Sequence, residues 1–469
     1  MIRSVIMKKR TFTIEEATIA EMQSAIKAKK ISYRELVTEY MGRIAQFDSC
    51  ENGLNSVMEI NPDALQLAQL MDENKAPKTG QPLYGIPILL KDNINTADKM
   101  RTSAGSHALA DNFASSDAVV AQHLRRSGAL FLGKANMTEF ANYMTKNMPG
   151  GYSSRGGQVM HPYNREGKPS GSSTGSGVAV AANLCAVSVG TETCGSVIAP
   201  SIANGIVGIK PTAGLLSGGG IIPISNTLDT AGPMARTVTD AAILLGAMGA
   251  GKDYAHDLDS ASVKGLRVGV YGVADESDEE YSACFEQVLS ELEKAGTIIT
   301  RNVDPVPNSK WSEVGRIIAV YEFKRSMEYY LSGAHSKMKA LSDIIKFNLD
   351  HKEQCLQYGQ TVLLECFEAS GRLIEPEYLQ ALRQRETVIR DFHQLFDGNS
   401  FDILFYAGMY SAIAPTAGFP AGTIPVGLRK NGLPVGLNFI ARPHDETKLI
   451  RAMYAAERLI GHRVAPVLS

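Results

Sequence analysis

The sequence lacks the features that would place it outside the cell or in a membrane. Its six cysteines are scattered without a CxxC pair, and it contains one tryptophan. No apolar run approaches the roughly 20 residues that a membrane span needs. The opening MIRSVIMKKR has no apolar signal core. These absences favour a cytoplasmic protein whose thiols stay reduced.

A surplus of either charge is also missing. The chain has 47 basic and 49 acidic residues, for a net charge of −2. Nucleic-acid-binding and membrane-surface proteins usually carry a basic face, so we expect neither partner. There is no HExxH motif and no His/Cys cluster at ligand spacing. We therefore expect no metal and no other cofactor.

Apolar strand patterns alternate with amphipathic helix patterns along most of the chain. YGIPILL is predicted to form a buried strand ending at Lys91, and GALFLG, LRVGVYG, TIITRNV and FDILFY are further strands. Helical patterns such as FEQVLSELEKAG lie between them. This alternation predicts an α/β fold around a largely buried sheet. Residues 310–395 are predicted to be mainly helical, and no repeat or linker divides residues 1–469 into separate domains.

Two capping-box patterns mark predicted helix starts near the beginning of the chain. Thr13 is followed three residues later by Glu16, and Ser32 is followed by Glu35. In such a box the hydroxyl and the carboxylate each accept a free backbone N–H of the first turn.

Two turns rich in Gly, Ser and Thr are the most informative feature: GSSTGSG at 171–177 and GTETCGS at 190–196. A phosphate-binding loop is disfavoured because no Lys follows Gly175 or Gly177 as GxxxxGK[ST] requires. A nucleophile elbow is the second alternative, since residues 171–175 match GxSxG with Ser173 as nucleophile and His444 downstream. The polar loop NREGKPS before it disfavours that alternative, because an elbow follows a strand.

A third interpretation uses Lys91, which ends an apolar strand. Taken alone, such a lysine is usually a surface charge or the partner of a neighbour such as Asp92. The hydroxyl-rich turns, however, need a base, and no His lies in or beside them. A desolvated lysine can serve if its pKa falls by roughly 3 units, which costs about 4 kcal/mol.

The second turn follows the predicted strand AVSVG and can complete such a site. The backbone N–H groups of Thr193, Cys194, Gly195 and Ser196 can converge there as an oxyanion hole. Ser196 stands where its hydroxyl could attack a carbonyl carbon.

These residues stand in motifs that resemble those of the amidase signature enzymes, in the same order along most of the chain. The motifs are LYGIPILLKDNI, GALFLGKANMTEFA, KPSGSSTGSGVAVAA, GTETCGSVIAPSIANGIVGIKPT, LDTAGPMARTVTDAA and GLPVGLNFIAR. The resemblance implies the family's fold, a large mixed β-sheet covered by helices on both faces. It also implies a single such domain over residues 1–469, with the helical excursion at about 310–395.

Carried over by position, the resemblance implies a Ser–Ser–Lys triad. Ser196 is then the nucleophile, Lys91 the base, and Ser172 the bridging serine on a cis peptide bond. The two serines are 24 residues apart, as in the family. The implied reaction converts a carboxamide to an acid and ammonia or an amine through an acyl-enzyme, without a cofactor.

The second turn departs from the family's usual [ST]DTGGS followed by Ile-Arg. This chain has Glu192, Cys194 and the pair Val197-Ile198 at those positions. Cys194 could reshape the pocket, and a rival nucleophile at Cys194 or an inactive copy are the remaining alternatives. The missing Arg weakens any transfer of substrate preference.

Within the family, SSRGGQ, TETxGS, GIIPIS and QYGQTVLLECFEASG resemble the peptide-amidase branch. We therefore expect a small-molecule or peptide amide substrate, with the C-terminal amides of peptides among the candidates, and a monomer or homodimer. The alternative is a glutamine-hydrolysing subunit of a tRNA-dependent amidotransferase, which would need a partner protein. Five aromatic residues of the helical segment could wall the pocket or belong to the core: Trp311, Tyr321, Phe323, Tyr329 and Tyr330.

Overall fold

The computed structural model describes residues 12–74, 80–271, 278–303, 308–408 and 411–468. The N-terminal segment in which the sequence shows no signal core lies outside these described residues. Within them, no helix combines the length and the apolar character that crossing a membrane requires.

The secondary structure alternates as the sequence patterns predict. The strands are β1 (Val57–Ile60), β2 (Pro87–Lys91), β3 (Leu130–Ala135), β4 (Tyr152–Ser153), β5 (Gly157–Gln158), β6 (Val187–Glu192), β7 (Val207–Lys210), β8 (Thr230–Ala235), β9 (Arg267–Tyr271), β10 (Ile298–Val303), β11 (Ile403–Tyr406), β12 (Ala421–Leu428) and β13 (Pro434–Ile440). The α-helices are α1 (Ile19–Lys27), α2 (Tyr33–Arg43), α3 (Ala64–Glu73), α4 (Val119–Arg126), α5 (Thr174–Ala181), α6 (Ile198–Ala203), α7 (Val238–Leu245), α8 (Glu279–Lys294), α9 (Asn308–Gly333), α10 (Leu341–Asp350), α11 (Lys352–Cys355), α12 (Thr361–Glu368), α13 (Pro376–Asn399), α14 (Ile413–Ala417) and α15 (Glu446–Ile460).

Eleven strands of the described ranges form one mixed sheet. Their order is β1-β3-β2-β6-β8-β7-β12-β13-β11-β9-β10, and β4 pairs separately with β5. β2 is parallel to both β3 and β6, and β9 is parallel to β10 and β11. The strands between these two parallel groups pair antiparallel.

Both faces of the sheet are covered by helices, which confirms the expected fold class. In β11, Ile403 and Phe405 belong to one apolar cluster, whereas Leu404 between them belongs to another. Successive side chains of a strand point to opposite faces, so each cluster is the core on one face. Helices α8 and α15 contribute to the first core, and α9 and α13 contribute to the second.

The capping box predicted at Ser32 is confirmed. The Ser32 hydroxyl accepts the backbone N–H of Glu35, and the Glu35 carboxylate accepts the backbone N–H of Ser32. Two free donors of the first turn are thereby satisfied, and α2 begins at the next residue.

The capping box predicted at Thr13 is wrong. Helix α1 begins five residues later, where Thr18 and Glu21 form the reciprocal pair. Glu16 has a left-handed φ of 55°, which a helix does not allow. Its carboxylate forms an ion pair with Arg463 at 2.7 Å instead of capping a helix. A tertiary contact therefore overrides the local pattern.

The register of three neighbouring strands determines where the polar loops meet. β2 and β6 run parallel with Leu90 opposite Val189, so their carboxyl ends lie at the same edge of the sheet. β8 runs antiparallel to β6 with Thr230 opposite Glu192. The segment that enters β8 therefore reaches the same edge as the segments that leave β2 and β6.

We predict that Gly175→Ala destabilises the fold by about 1–3 kcal/mol. Helix α5 packs so closely at this point that an added Cβ would lie 2.3 Å from the backbone oxygen of Ser56 and 2.4 Å from that of Asn136. Urea denaturation followed by circular dichroism measures the change.

The matched control is Gly42→Ala, also within a helix, where nothing lies within 4 Å of the added Cβ. This substitution should raise the free energy of unfolding by about 0.5–1 kcal/mol, because alanine has a higher helix propensity than glycine. Equal urea midpoints for the two variants would contradict the close packing of α5.

Candidate active site

Lys91 is the last residue of β2, and its side chain is completely buried. Its Nζ lies 2.8 Å from Ser172 Oγ and 3.0 Å from Ser173 Oγ. It also lies 3.0 Å from the Thr191 hydroxyl and 3.1 Å from the Thr191 carbonyl oxygen. A neutral amine has two N–H donors and one lone pair, so it can donate to Thr191 and accept a proton from a serine hydroxyl.

Burial controls the protonation of Lys91. Loss of hydration penalises the charged form and lowers the pKa of Lys91 to about 7, although the carboxylates of Asp229 and Glu192 act in the opposite direction. A lysine with this pKa is substantially neutral at physiological pH and can act as a general base.

Ser172 is held against Lys91 by the first turn. The peptide bond between Gly171 and Ser172 is cis, as the family resemblance predicts for this position. The Ser172 carbonyl oxygen accepts the backbone N–H of Thr138 at 3.1 Å. The turn then leads directly into α5, so the serine is held by the backbone on both sides.

Ser173 is not arranged as a nucleophile. Its buried hydroxyl donates to the Thr191 carbonyl oxygen at 3.0 Å and accepts the Thr191 backbone N–H at 3.2 Å. Its own backbone N–H donates to the carbonyl oxygen of Ser196 at 3.1 Å, which ties the two turns together. His444 lies on a turn after β13 and is exposed. The structure thus gives no support to the nucleophile-elbow alternative.

The second turn follows β6, and its backbone N–H groups fall into two sets, one bound by a side chain and one without a backbone acceptor among the described residues. The Glu192 carboxylate accepts the backbone N–H groups of Val197 and Ile198 at 2.7 and 3.0 Å. Gly195 has a φ of 90°, which an L side chain rarely adopts. Among the described residues, no backbone acceptor binds the N–H groups of the four residues named above as an oxyanion hole, Thr193, Cys194, Gly195 and Ser196.

The side chain of Cys194 is exposed at this turn. Loss of hydration, together with the nearby Glu192 carboxylate, raises the pKa of the thiol to about 12. Only the thiolate is a strong nucleophile, so this neutral thiol is a poor nucleophile.

Two neighbours of this site are not identified by the sequence patterns. Thr191 binds Lys91 with both its hydroxyl and its carbonyl oxygen, and it also accepts Asn93 Nδ2 at 3.0 Å. Asp229 accepts the Thr193 hydroxyl at 2.5 Å. The only signal for Asp229 is its place in the motif LDTAGPMARTVTDAA, since its approach to the second turn depends on the β6–β8 register.

The five aromatic residues of the helical segment differ in how deeply they are buried. Trp311 and Phe323 are buried in the core between the sheet and helices α9 and α13. Phe323 also stacks on Tyr143, with ring centroids 5.5 Å apart. The Tyr330 hydroxyl is bound by Asn95 and Asn112.

The remaining two aromatics contribute less to the site. Tyr329 is 81% exposed, and Tyr321 lies against Tyr378.

A large groove lies elsewhere on the described part of the chain. Its volume is about 1590 Å³, and α1, α2, α4 and the turn after α7 contribute to its lining, which includes Tyr33, His123 and Lys252. None of the candidate site residues borders it. A much smaller cavity of about 10 Å³ lies under Gly195 and Ile198. Over the described residues, no three or more His, Cys, Asp and Glu are grouped as a metal site.

Comparison with known proteins is decisive for the family. The family model described as Amidase matches residues 35–450. The chain belongs to the amidase signature family. A probable amidase of Arabidopsis thaliana is 35% identical, over 96% of this chain and 91% of its own length.

Solved structures add a close likeness within the family. The native peptide amidase of Stenotrophomonas maltophilia is 37% identical, with a TM-score of 0.90 over 97% of this amidase and 99% of that chain. This protein is therefore an amide hydrolase that is similar to peptide amidase.

The sequence relatives also include a glutamyl-tRNA(Gln) amidotransferase subunit of Rhizobium etli, which is 31% identical over 95% of this chain and 97% of its own length.

We predict that Lys91→Met lowers kcat/KM by about 10²–10⁴-fold, the usual contribution of a general base. In the unsubstituted enzyme only neutral Lys91 can accept a proton. Activity should therefore fall as the pH drops through about 7, the pKa of Lys91, and this limb should be absent in the variant. The pH dependence of amide hydrolysis is the measurement.

The matched control is Lys134→Met. Lys134 is the equally buried lysine of the adjacent strand β3, and its Nζ bonds to Ile94 O and Thr102 Oγ1 rather than to the serines. Its loss should reduce stability and leave the limb near pH 7 in place. If both variants lost activity equally, the loss would reflect the removal of a buried lysine in general and not the removal of a base at position 91.

We predict that Cys194→Ala keeps hydrolysis within about tenfold of the unsubstituted enzyme, since its thiol is held in the neutral form. Because Cys194 stands next to Ser196 in the second turn, a smaller side chain at this position should alter KM more than kcat. Steady-state kinetics on two amides of different size checks this. Complete loss of turnover would instead assign the attack to Cys194.

Proposed function

We propose that this amidase hydrolyses a carboxamide through Ser196 as nucleophile, Ser172 as proton bridge and Lys91 as base. The observation that carries the proposal is the fully buried Lys91, whose Nζ lies 2.8 Å from Ser172 Oγ. The pKa of Lys91, lowered to about 7 by burial, suits a base that must accept and return a proton near neutral pH.

In the acylation step, Ser196 Oγ adds to the amide carbonyl carbon. Its proton passes to Ser172 while Ser172 gives its own proton to Lys91. The tetrahedral intermediate then collapses, the C–N bond breaks, and the relay returns the proton to the leaving ammonia or amine. Water attacks the acyl-enzyme by the same route and releases the acid.

The second turn supplies the charge stabilisation that this reaction needs. The backbone N–H groups from Thr193 to Ser196 have no backbone acceptor within the described residues, and the left-handed Gly195 lets them turn toward one point. Preorganised donors of this kind contribute about 3–4 kcal/mol each to transition-state stabilisation. Ser173 and Thr191 orient Lys91 and take no proton themselves.

The substrate we propose is a peptide that ends in a C-terminal amide. The support is the likeness to the peptide amidase of Stenotrophomonas maltophilia, at 37% identity and a TM-score of 0.90. Selection of the amide by loops and helices around a common catalytic centre is usual in such enzymes. Here the exposed side chain of Cys194 stands next to the proposed nucleophile in the second turn.

The second candidate is glutamine hydrolysis on behalf of a tRNA-dependent partner. It is favoured by the 31% identity to the Rhizobium etli amidotransferase subunit over nearly the full length of both chains. The balanced charge of −2 gives it no added support, since RNA-binding surfaces are basic.

The test is ammonia release by the purified protein from an N-acetylated dipeptide amide, an aryl amide, a fatty amide and glutamine. The same dipeptide with a free carboxylate is the substrate control, because it contains no terminal amide. We expect the dipeptide amide to be the preferred substrate, and Ser196→Ala to lose at least about a thousandfold in rate.

Each other outcome has a defined meaning. Release that persists in Ser196→Ala would overturn the proposed nucleophile. Release from glutamine alone, and only when a partner protein is present, would favour the amidotransferase candidate. A preference for the aryl or fatty amide would keep the mechanism and replace the substrate.

A further inference from the structure

Asp229 lies beside the catalytic turn because of strand register. Thr230 begins β8 and pairs with Glu192 at the end of β6. The residue before Thr230 is therefore brought next to the residue after Glu192. The Thr193 hydroxyl donates to Asp229 Oδ1 at 2.5 Å, so this carboxylate holds the first residue of the turn that carries Ser196.

The second oxygen of Asp229 is also occupied. Asp229 Oδ2 accepts the backbone N–H groups of Ile224 and Ser225 at 2.7 and 3.0 Å. Each oxygen thus has a defined acceptor role, which gives the carboxylate one orientation. The loop over residues 224–229 is closed on itself by this one side chain.

The same loop is anchored to the helical segment. The buried carboxylate of Glu322, on α9, accepts the Ser225 hydroxyl at 2.5 Å and the Thr227 backbone N–H at 3.1 Å. The Tyr378 hydroxyl, on α13, donates to Glu322 at 2.8 Å. Asp229 is therefore the link between this anchored loop and the catalytic turn.

Asp229 also acts on Lys91 through its charge. Among the carboxylates that oppose the burial effect on the pKa of Lys91, Asp229 contributes most and Glu192 follows. Burial raises the pKa of Asp229 itself to about 6, with the Thr193 bond acting against this and Glu322 adding to it. The other titratable group that faces it is Tyr143. Near neutral pH Asp229 is thus largely ionised.

We propose that Asp229 is a positioning residue of the amidase reaction, which fixes the catalytic turn through Thr193. This inference rests on the proposed roles of Ser196 and Lys91. Two separable consequences follow, one for the rate at high pH and one for the pH at which activity appears.

Electrostatics determines the direction of the expected shift in the pH profile. A negative charge stabilises the lysine ammonium, so its removal makes Lys91 easier to deprotonate. Asp229→Asn should therefore shift the acidic limb of the pH profile to lower pH by at least about half a unit. A residue that only maintained the fold would lower the rate and leave this midpoint unchanged.

The test uses an alkyl fluorophosphonate, so that it does not depend on knowing the natural amide. Ser196 Oγ forms a bond to phosphorus, the P–F bond breaks, fluoride leaves, and the serine proton passes through Ser172 to Lys91. The rate constant of labelling is measured across the acidic and alkaline range by intact-mass spectrometry. We expect a limb near the pKa of Lys91 in the unsubstituted enzyme and a lower midpoint in Asp229→Asn.

Asp240→Asn is the matched control for loss of a carboxylate. Asp240 accepts the backbone N–H of Ile19 at 3.2 Å, and burial raises its pKa to about 6, as for Asp229. It contacts neither catalytic turn. Asp240→Asn should leave the pH midpoint of the labelling rate unchanged. An equal shift in both variants, or no shift in Asp229→Asn, would overturn the proposal.

A second pair keeps the proposal testable if Asp229→Asn does not fold. Thr193→Val removes the hydroxyl that Asp229 binds, and should lower the high-pH labelling rate by about tenfold through misplacement of the turn. Thr193→Ser keeps the hydroxyl and should restore most of the rate. Equal rates in the two Thr193 variants would overturn the positioning role.

The proposed function is checked separately in the same assay. If Ser196→Ala still becomes labelled at an equal rate, the nucleophile assignment fails and not merely the role of Asp229. If Ser196→Ala is unlabelled while the Asp229 and Thr193 variants behave as the unsubstituted enzyme, only the positioning role fails.

Discussion

The site depends on the burial of one lysine among hydroxyl groups. Lys91 has no exposed surface, and its native pKa of about 7 compares with an ordinary value of 10.5. Between these values the unfolded chain holds the proton and the native chain does not, so stability rises as the pH increases through this window. Below it the native state bears the full cost, on the order of 5 kcal/mol. The result is a buried amine that is substantially neutral near neutral pH.

Hydroxyls rather than carboxylates surround the amine, and this choice decides its chemistry. A carboxylate in direct contact would hold the proton on Lys91, whereas the contacts of Nζ are Ser172, Ser173 and Thr191. The neighbouring Lys134 shows the contrast. It is equally buried, and burial lowers its pKa to about 8, but its Nζ binds the Ile94 carbonyl oxygen and Thr102 rather than the serines. The two buried lysines on adjacent strands therefore differ in the groups that they contact.

Close backbone approach brings the two turns together. An added Cβ at Gly190 would lie 2.7 Å from the Ser173 hydroxyl, and one at Gly171 would lie 2.4 Å from the Thr138 hydroxyl. Small residues at these points let the turn that carries Ser172 lie against the end of β6. The glycine-rich composition of both turns therefore serves packing at the sheet edge as well as backbone freedom at Gly195.

The sequence by itself determined the elements whose signals are local. YGIPILL predicted the strand that ends at Lys91, and FEQVLSELEKAG predicted helix α8, which spans Glu279–Lys294. The family motifs also singled out Lys91, Ser172 and Ser196, because the order of those motifs along the chain is itself specific. Local patterns failed at Thr13, where Glu16 is drawn to Arg463 from the far end of the chain.

Only the tertiary structure decided which distant groups meet. Thr191 and Asp229 reach Lys91 and Thr193 because β6 is parallel to β2 and antiparallel to β8. Strand direction and register depend on how the whole sheet packs, and no short stretch of sequence encodes them. The pKa of Lys91 was likewise decided by depth of burial, a property of the assembled sheet and its covering helices and not of the strand that carries the residue.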